Sequence, residues 1–369
     1  MKQIYKNILV VFLISTLFIG CGEKKDEDIK IGFVAGLSGK YSSLGISVRD
    51  GFTLAFEEID YKINNQKVKI IQKDDKQDEN EAKKAIKFFI KNDIKLIIGN
   101  TTSSMTKISL PLLAKLKDSL MISATASSSF FSAKDDNFIR VQVDNSPKRY
   151  KSLAKMLLQN NYKNIFFIYD AKNQAYVDDY SITLENVLVE QGGNKYTAKV
   201  DLNEPYEDIL KKINTTKNDL ILIVGNAVDS ANIIQYLRIN KIHTKVLGSG
   251  WAKTNDFITN GGASIEGVLF SEGYDDGSQH KSYLAFSKKY KERYNSIPSV
   301  FATQGYELAQ ILIKNLQKSS DISTLKEKIL SIKKYDGLQG DIVFDKYGDV
   351  MREFFMMEVK NKRFIKVNN

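Results

Sequence analysis

The chain has 369 residues, 43% hydrophobic and 27% charged, with a formal net charge of +10. That is enough apolar material for a sizeable core, most naturally divided between two lobes or domains. The positive charge is no sign of nucleic acid, because lysines alternate with Asp, Glu and Asn and no Lys/Arg stripe carries interleaved aromatics. The two histidines, His243 and His280, have no Cys or carboxylate at ligand spacing, so neither a metal nor another cofactor is expected.

Residues 1–20 read as a signal peptide. Lys2 and Lys6 make a basic start, and 8–20 (ILVVFLISTLFIG) is an uncharged run too short for a comfortable membrane span. The single cysteine, Cys21, ends that run, and 22–28 turns sharply polar, as a tether would. The placement resembles the lipobox of bacterial lipoproteins, with Phe18 where Leu is usual. It implies lipid attachment at Cys21 and a protein held to a membrane in the periplasm or on the outer cell surface. An ordinary secretory signal or an anchor helix is the alternative. The lack of any other thiol also suits an oxidising compartment.

Strands and helices then alternate. The β-rich run 29–34 (IKIGFV) precedes an amphipathic helix over 47–59, in which Val48, Phe52, Ala55, Phe56 and Ile59 recur at helical spacing. A second strand at 68–71 ends in the charged turn Lys73-Asp74-Asp75. Helix 81–92, strand 96–98, helix 103–117 and strand 120–122 follow, with Pro111 expected to kink or split its helix. This is the pattern of a doubly wound parallel sheet, and it restarts after 138–141. The second round has helix 152–160, strand 165–169 (IFFIY), helix 179–191, strand 220–224 (LILIV), helix 228–239 and strand 246–247. Helices at 283–294 and 302–316 and short strands at 341–344 and 354–359 complete the chain.

In open parallel sheets a ligand binds beyond the carboxyl ends of the strands. Here Thr101 to Ser104 follow the third strand, and the hydroxyl-rich stretch 123–129 follows the fourth. Unpaired backbone N–H groups and the positive end of a helix attract a carboxylate, and Ser and Thr hydroxyls complete its hydrogen bonds without adding charge. The plainer alternative makes Ser103 an N-cap and 127–129 a loop. Gly36 to Tyr41 imitates a phosphate loop, but its spacing is too short and Tyr41 replaces the metal-binding hydroxyl. No nucleophile–base constellation is recognisable, so an enzyme is not expected. The pairs Asp74-Asp75 and Asp275-Asp276 are expected to be solvated in polar turns.

The stretches 29–59, 97–106, 111–127, 248–270 and 335–349 (YDGLQGDIVFDKYGD) together resemble type I periplasmic binding proteins of the leucine/isoleucine/valine-binding kind, over essentially all of 29–360. The resemblance implies an α/β fold of two Rossmann-like lobes with parallel sheets, joined by three hinge strands and closing over a small molecule. Crossings are expected near Asp144, Ser271 and Gly340. The first lobe then comprises 29–143 plus 272–339, and the second 144–271 plus 340–369.

The same resemblance implies site residues. The family's carboxylate-binding serine falls on Ser103, and its next pair falls on Ala126, acting through its backbone, and Ser127. An aromatic position falls on Leu44. In the second lobe the family's tyrosine falls on Tyr176, with Asn173 close by, and a later tyrosine falls on Ala227. The glutamate that holds a ligand's ammonium falls on Gly250, beside Trp251. An amino-acid ligand then needs another partner, such as Glu272 or Asp144, or the ligand lacks the ammonium. Trp251 is expected either to offer an apolar or cation–π surface or to serve in the core.

The expected function is a monomeric, lipid-anchored solute receptor that passes an amino acid, branched-chain included, or a related small carboxylate to the permease of an ABC importer. A sensor signalling to a membrane kinase or chemoreceptor is the alternative.

Overall fold

In the computed structural model, which describes residues 27–367, the short apolar runs become the centres of two parallel-dominated sheets. The signal segment, Cys21 and most of the tether lie outside the described residues. The first sheet has the spatial order Lys62–Ile63, Gln66–Asp74, Ile29–Ala35, Leu96–Gly99, Leu120–Ser123, Phe138–Arg140, parallel except for its short outermost strand. The second runs Arg363–Lys366, Phe355–Lys360, Leu269–Glu272, Lys245–Gly248, Leu220–Val224, Ile165–Tyr169, Ala198–Asp201, with Phe355–Lys360 antiparallel to both its neighbours. Leu96–Gly99 and Leu220–Val224 are buried at every position, as strands are when helices cover both faces of a sheet. The expected two-lobed α/β architecture is therefore present.

Pro111 falls near the end of the helix Ser103–Leu113 and does not split it. A proline there forfeits one hydrogen bond close to a terminus where bonding already runs out.

The chain passes between the lobes three times. The first passage, over 141–146, leads from Phe138–Arg140 to the helix Pro147–Gln159, which packs on the second-lobe helix Gln174–Glu190. The second follows Leu269–Glu272 and leads to Lys281–Tyr294, whose Lys289 and Arg293 pair with Glu58 and Glu57 of the first lobe. The helix Val300–Leu316 then packs backbone to backbone on Ser42–Glu57: a Cβ on Gly51 would lie 1.9 Å from the Ala302 carbonyl oxygen, and one on Gly305 2.2 Å from that of Val48.

The third passage comes later than Gly340. Gly340–Phe344 and Val350–Met351 pair with Lys334–Gly337 in a small antiparallel sheet, and Gly348 rests on Ile139. Residues 340–351, expected in the second lobe, thus stay on the first, and the chain crosses at 352–354. The turn at 345–349 does more than reverse direction, because its Asp349 is the carboxylate partner of buried Arg140.

Two solvated carboxylate pairs were expected, and each is half wrong. Asp75 is 1% exposed and accepts from Asn100 Nδ2 at 2.7 Å and Gln77 N at 2.9 Å. Asp276 pairs with Lys253, whose side chain is wholly buried. Polar neighbours in sequence made both look exposed; loops from distant strand ends fold over them.

Candidate ligand site between the lobes

A narrow cavity lies where the carboxyl ends of the two sheets face each other. It lies over the point in each sheet where the strand order reverses, between Ile29–Ala35 and Leu96–Gly99 in one lobe and Ile165–Tyr169 and Leu220–Val224 in the other.

One pole is made of uncharged donors from the first lobe: Thr101, Thr102, Ser103, Thr125 and Ser127. Thr102 is the N-cap residue of Ser103–Leu113 but makes no side-chain cap bond, so Ser103 is not the cap. Ser103 Oγ instead accepts from Ser127 N at 3.2 Å and Ser128 N at 3.1 Å. With its lone pairs engaged, the hydroxyl is left to donate, beside the positive end of a helix. Two other hydroxyls brace the loops, Thr125 Oγ1 donating to Thr101 O at 2.5 Å and Thr102 Oγ1 to Gln77 Oε1 at 2.8 Å. Arg140 supports the loop from below, donating to Ser128 O at 2.7 Å, Ser132 Oγ at 2.6 Å and Asp349 at 2.8 Å.

The opposite wall belongs to the second lobe and the second passage: Asn173, Tyr176, Gly250, Trp251 and Glu272. Trp251 stacks on Tyr41 with ring centres 6.2 Å apart and meets Tyr176 edge-on at 6.3 Å. Burial pushes the Tyr176 hydroxyl up to about 12, so it stays protonated and able to donate at neutral pH. Leu44 and Phe301 close the first-lobe side.

Glu272 reaches into an unusual space. A Cβ placed on Gly250 would lie 2.0 Å from Glu272 Oε1, so the carboxylate fills the volume that a side chain at 250 would need. This is the position where the resemblance puts the ammonium-binding glutamate. Burial pushes the Glu272 carboxyl above its ordinary range, while Lys253 and Arg149 act against that rise.

Six of the residues expected at the site thus line one cavity: Ser103, Ser127, Asn173, Tyr176, Trp251 and Glu272. Two do not. Ala126 is buried, its N–H already donated to Ser123 Oγ at 3.0 Å. Asp144 accepts from Ser132 Oγ at 2.6 Å and Ser146 N at 3.2 Å, and it lines a separate groove along the hinge. Sequence reasoning missed Gln142, Arg149 and Phe301. Thr101 and Thr125 lay in loops it had singled out.

Around the cavity the lobes are closed on each other by polar contacts. Lys40 pairs with Asp229 at 2.6 Å, Ser43 Oγ donates to Thr254 Oγ1 at 2.7 Å, and Gln77 Nε2 to Lys172 O at 2.9 Å. Ser104 N donates to Asn173 Oδ1 at 3.1 Å, Ala175 N to Ser104 Oγ at 3.0 Å, and Ser129 N to Asp179 Oδ2 at 2.7 Å.

Residues 28–363 match the family described as periplasmic binding protein. The Leu/Ile/Val-binding protein BraC3 of Rhizobium johnstonii is 20% identical over 343 residues, 89% of this chain and 91% of that protein. Among solved structures, the leucine binding protein LivK of Thermotoga maritima is similar with a TM-score of 0.84 at 22% identity, covering 92% of this chain and 98% of that one. A solute binding protein of an ABC transporter from R. palustris, in complex with benzoate, has a TM-score of 0.81 at 16% identity, covering 92% and 95%. With two facing lobes, a cavity at both switch points and a family match over nearly its whole length, the chain belongs to the periplasmic binding proteins, type I, of the leucine/isoleucine/valine-binding kind.

Proposed function

We propose that this protein is the extracytoplasmic receptor of an ABC importer and binds an α-amino acid between its lobes. The observation that carries the reading is the Glu272 carboxylate set over Gly250, across the cavity from the hydroxyl pole of Ser103 and Ser127. A zwitterion needs both: uncharged donors for its carboxylate and a carboxylate for its ammonium. The names of the relatives, a Leu/Ile/Val-binding protein and a leucine binding protein, support the same ligand class. The benzoate complex marks the bounds of the fold, since a small carboxylate without an ammonium is also held by such lobes.

Closure supplies the mechanism. The contacts across the rim form only when the lobes meet, and the ligand touches both walls only then. Its differential affinity for the closed state shifts the population toward it, and a permease reads that state. Binding is reversible and leaves the ligand unchanged. Cys21 carries the lipid that keeps the receptor at the membrane, with 22–28 as tether.

A thermal-shift screen of amino acids, their amides and small organic acids, followed by calorimetry, tests this. A ligand present at a thousand times its Kd adds about 4 kcal/mol to stability, a readily visible rise in Tm. A screen in which no carboxylate raises Tm would overturn the reading.

A further inference from the structure

The cavity is lined by two charged side chains, Glu272 and Arg149, and the second has no work in the reading above. Arg149 belongs to the first turn of Pro147–Gln159, a helix with no acidic residue in that turn. Of its five N–H donors, one is hydrogen-bonded among the described residues, from Nη1 to Asn145 Oδ1 at 2.9 Å. The guanidinium stands 4.4 Å from the ring of Phe354, and among the described residues it forms no salt bridge, although the Glu272 carboxylate acts on it through space. Nearby in the lining, Gln142 accepts from Val143 N at 2.9 Å through Oε1, leaving Nε2 without a partner among the described residues.

A cation at the positive end of a helix is misplaced by the helix's own field. A half-buried guanidinium with idle donors recovers only part of its desolvation, through the nearby Glu272 carboxylate. Both costs are recovered when a carboxylate binds, because the planar fork matches its two oxygens. The hydroxyl pole already serves one carboxylate and Glu272 one ammonium. From these pairings we propose that the ligand is an amino dicarboxylate of aspartate or glutamate size, with its second carboxylate held by Arg149. This rests on the amino-acid reading given above. It does not depend on which of the two carboxylates meets Arg149, since the pairing by groups is the same.

The test is calorimetry on the purified protein with L-aspartate, L-glutamate, L-asparagine, L-glutamine and L-leucine. An acid and its amide share size and shape, so their ratio isolates the charge. The proposal expects one acid to bind at least tenfold more tightly than its amide and than leucine. In Arg149→Gln that ratio should collapse to near one, and Arg149→Lys should keep part of it by keeping the charge. Leucine or an amide binding more tightly than both acids would overturn the proposal and leave the amino-acid receptor standing. An acid preference that survives unchanged in Arg149→Gln would overturn it too. If no amino acid binds at all, both readings fall together.

Discussion

Replacing Gly250 with Ala should weaken ligand binding through Glu272 alone. Gly250 opens the short turn Gly250–Ala252 and its φ lies outside the left-handed region, so alanine meets no backbone strain there. The added methyl would stand 2.0 Å from Glu272 Oε1 and 3.2 Å from its Cδ, and the other near atom is again a Glu272 oxygen. Contacts of a Cβ below 3.0 Å are essentially never seen, so the carboxylate must retreat by about 1 Å. A hydrogen bond lengthened by that much is lost. Bonds to charged groups are worth about 1.5–3 kcal/mol, which predicts a Kd roughly 10- to 150-fold weaker. The assay is calorimetry with the amino acid that the screen selects, alongside its analogue without the amino group. The analogue should lose little. An unchanged Kd for the amino acid, or an equal loss for both compounds, would refute the reasoning by showing that Glu272 does not hold the ammonium.

Four further outcomes are expected. Ser103→Ala removes a donor to a buried carboxylate and should cost about 1–3 kcal/mol of binding by calorimetry; full affinity would take Ser103 out of the site. Asp75 titrates at about 6 in the folded protein, pushed up by burial. The folded state therefore holds its proton more tightly than the unfolded one, and the stability so gained is full below about 3.8 and lost as pH rises through about 6. The difference amounts to about 3 kcal/mol, so the stability of Asp75→Asn relative to the native chain should grow from pH 4 to pH 7, with Asn100 Oδ1 available as an acceptor; a flat difference in Tm would contradict this. Glu307→Gln should lower Tm, because the buried carboxylate accepts from Tyr274 Oη at 2.5 Å and Leu338 N at 2.6 Å and stands 3.7 Å from Arg352; breaking such a charged cluster costs on the order of 3 kcal/mol, and an unmoved Tm would remove its structural role. Cys21→Ser should release the protein from membranes in fractionation, and retention would count against the lipid anchor.

Much of the fold could be read from the sequence because short β-rich runs and amphipathic helices announce themselves by period. Two strand ends announced a site because four hydroxyls in a row have no packing reason to be there. What stayed hidden depends on distance along the chain. Phe301 enters the cavity because Gly51 and Gly305 let two helices meet backbone to backbone, and periodicity gives a helix without naming its partner. Asp75 looked solvated because its sequence neighbours are charged, yet the Asn100 loop closes over it. Arg149 stayed hidden because the periodicity starts its helix at 152; the structure begins the helix at Pro147, which puts this cation in the first turn, against the dipole.

The same residues that shape the site also tie it to the hinge. Arg140 holds the loop carrying Ser127 on one side and Asp349, next to the third passage, on the other. Glu307 gathers Tyr274 from the second passage and Leu338 and Arg352 from either side of the third. The loop carrying Ser127 is thereby fixed to segments that lead into the second and third passages. The rim contacts alone cannot decide the balance, since each exchanges a bond to water for a bond to protein and nets only about 1 kcal/mol or less. If the ligand is the one proposed, the deciding interactions lie in the cavity, where its charges meet Glu272 and Arg149 in the closed state and give that state its differential affinity.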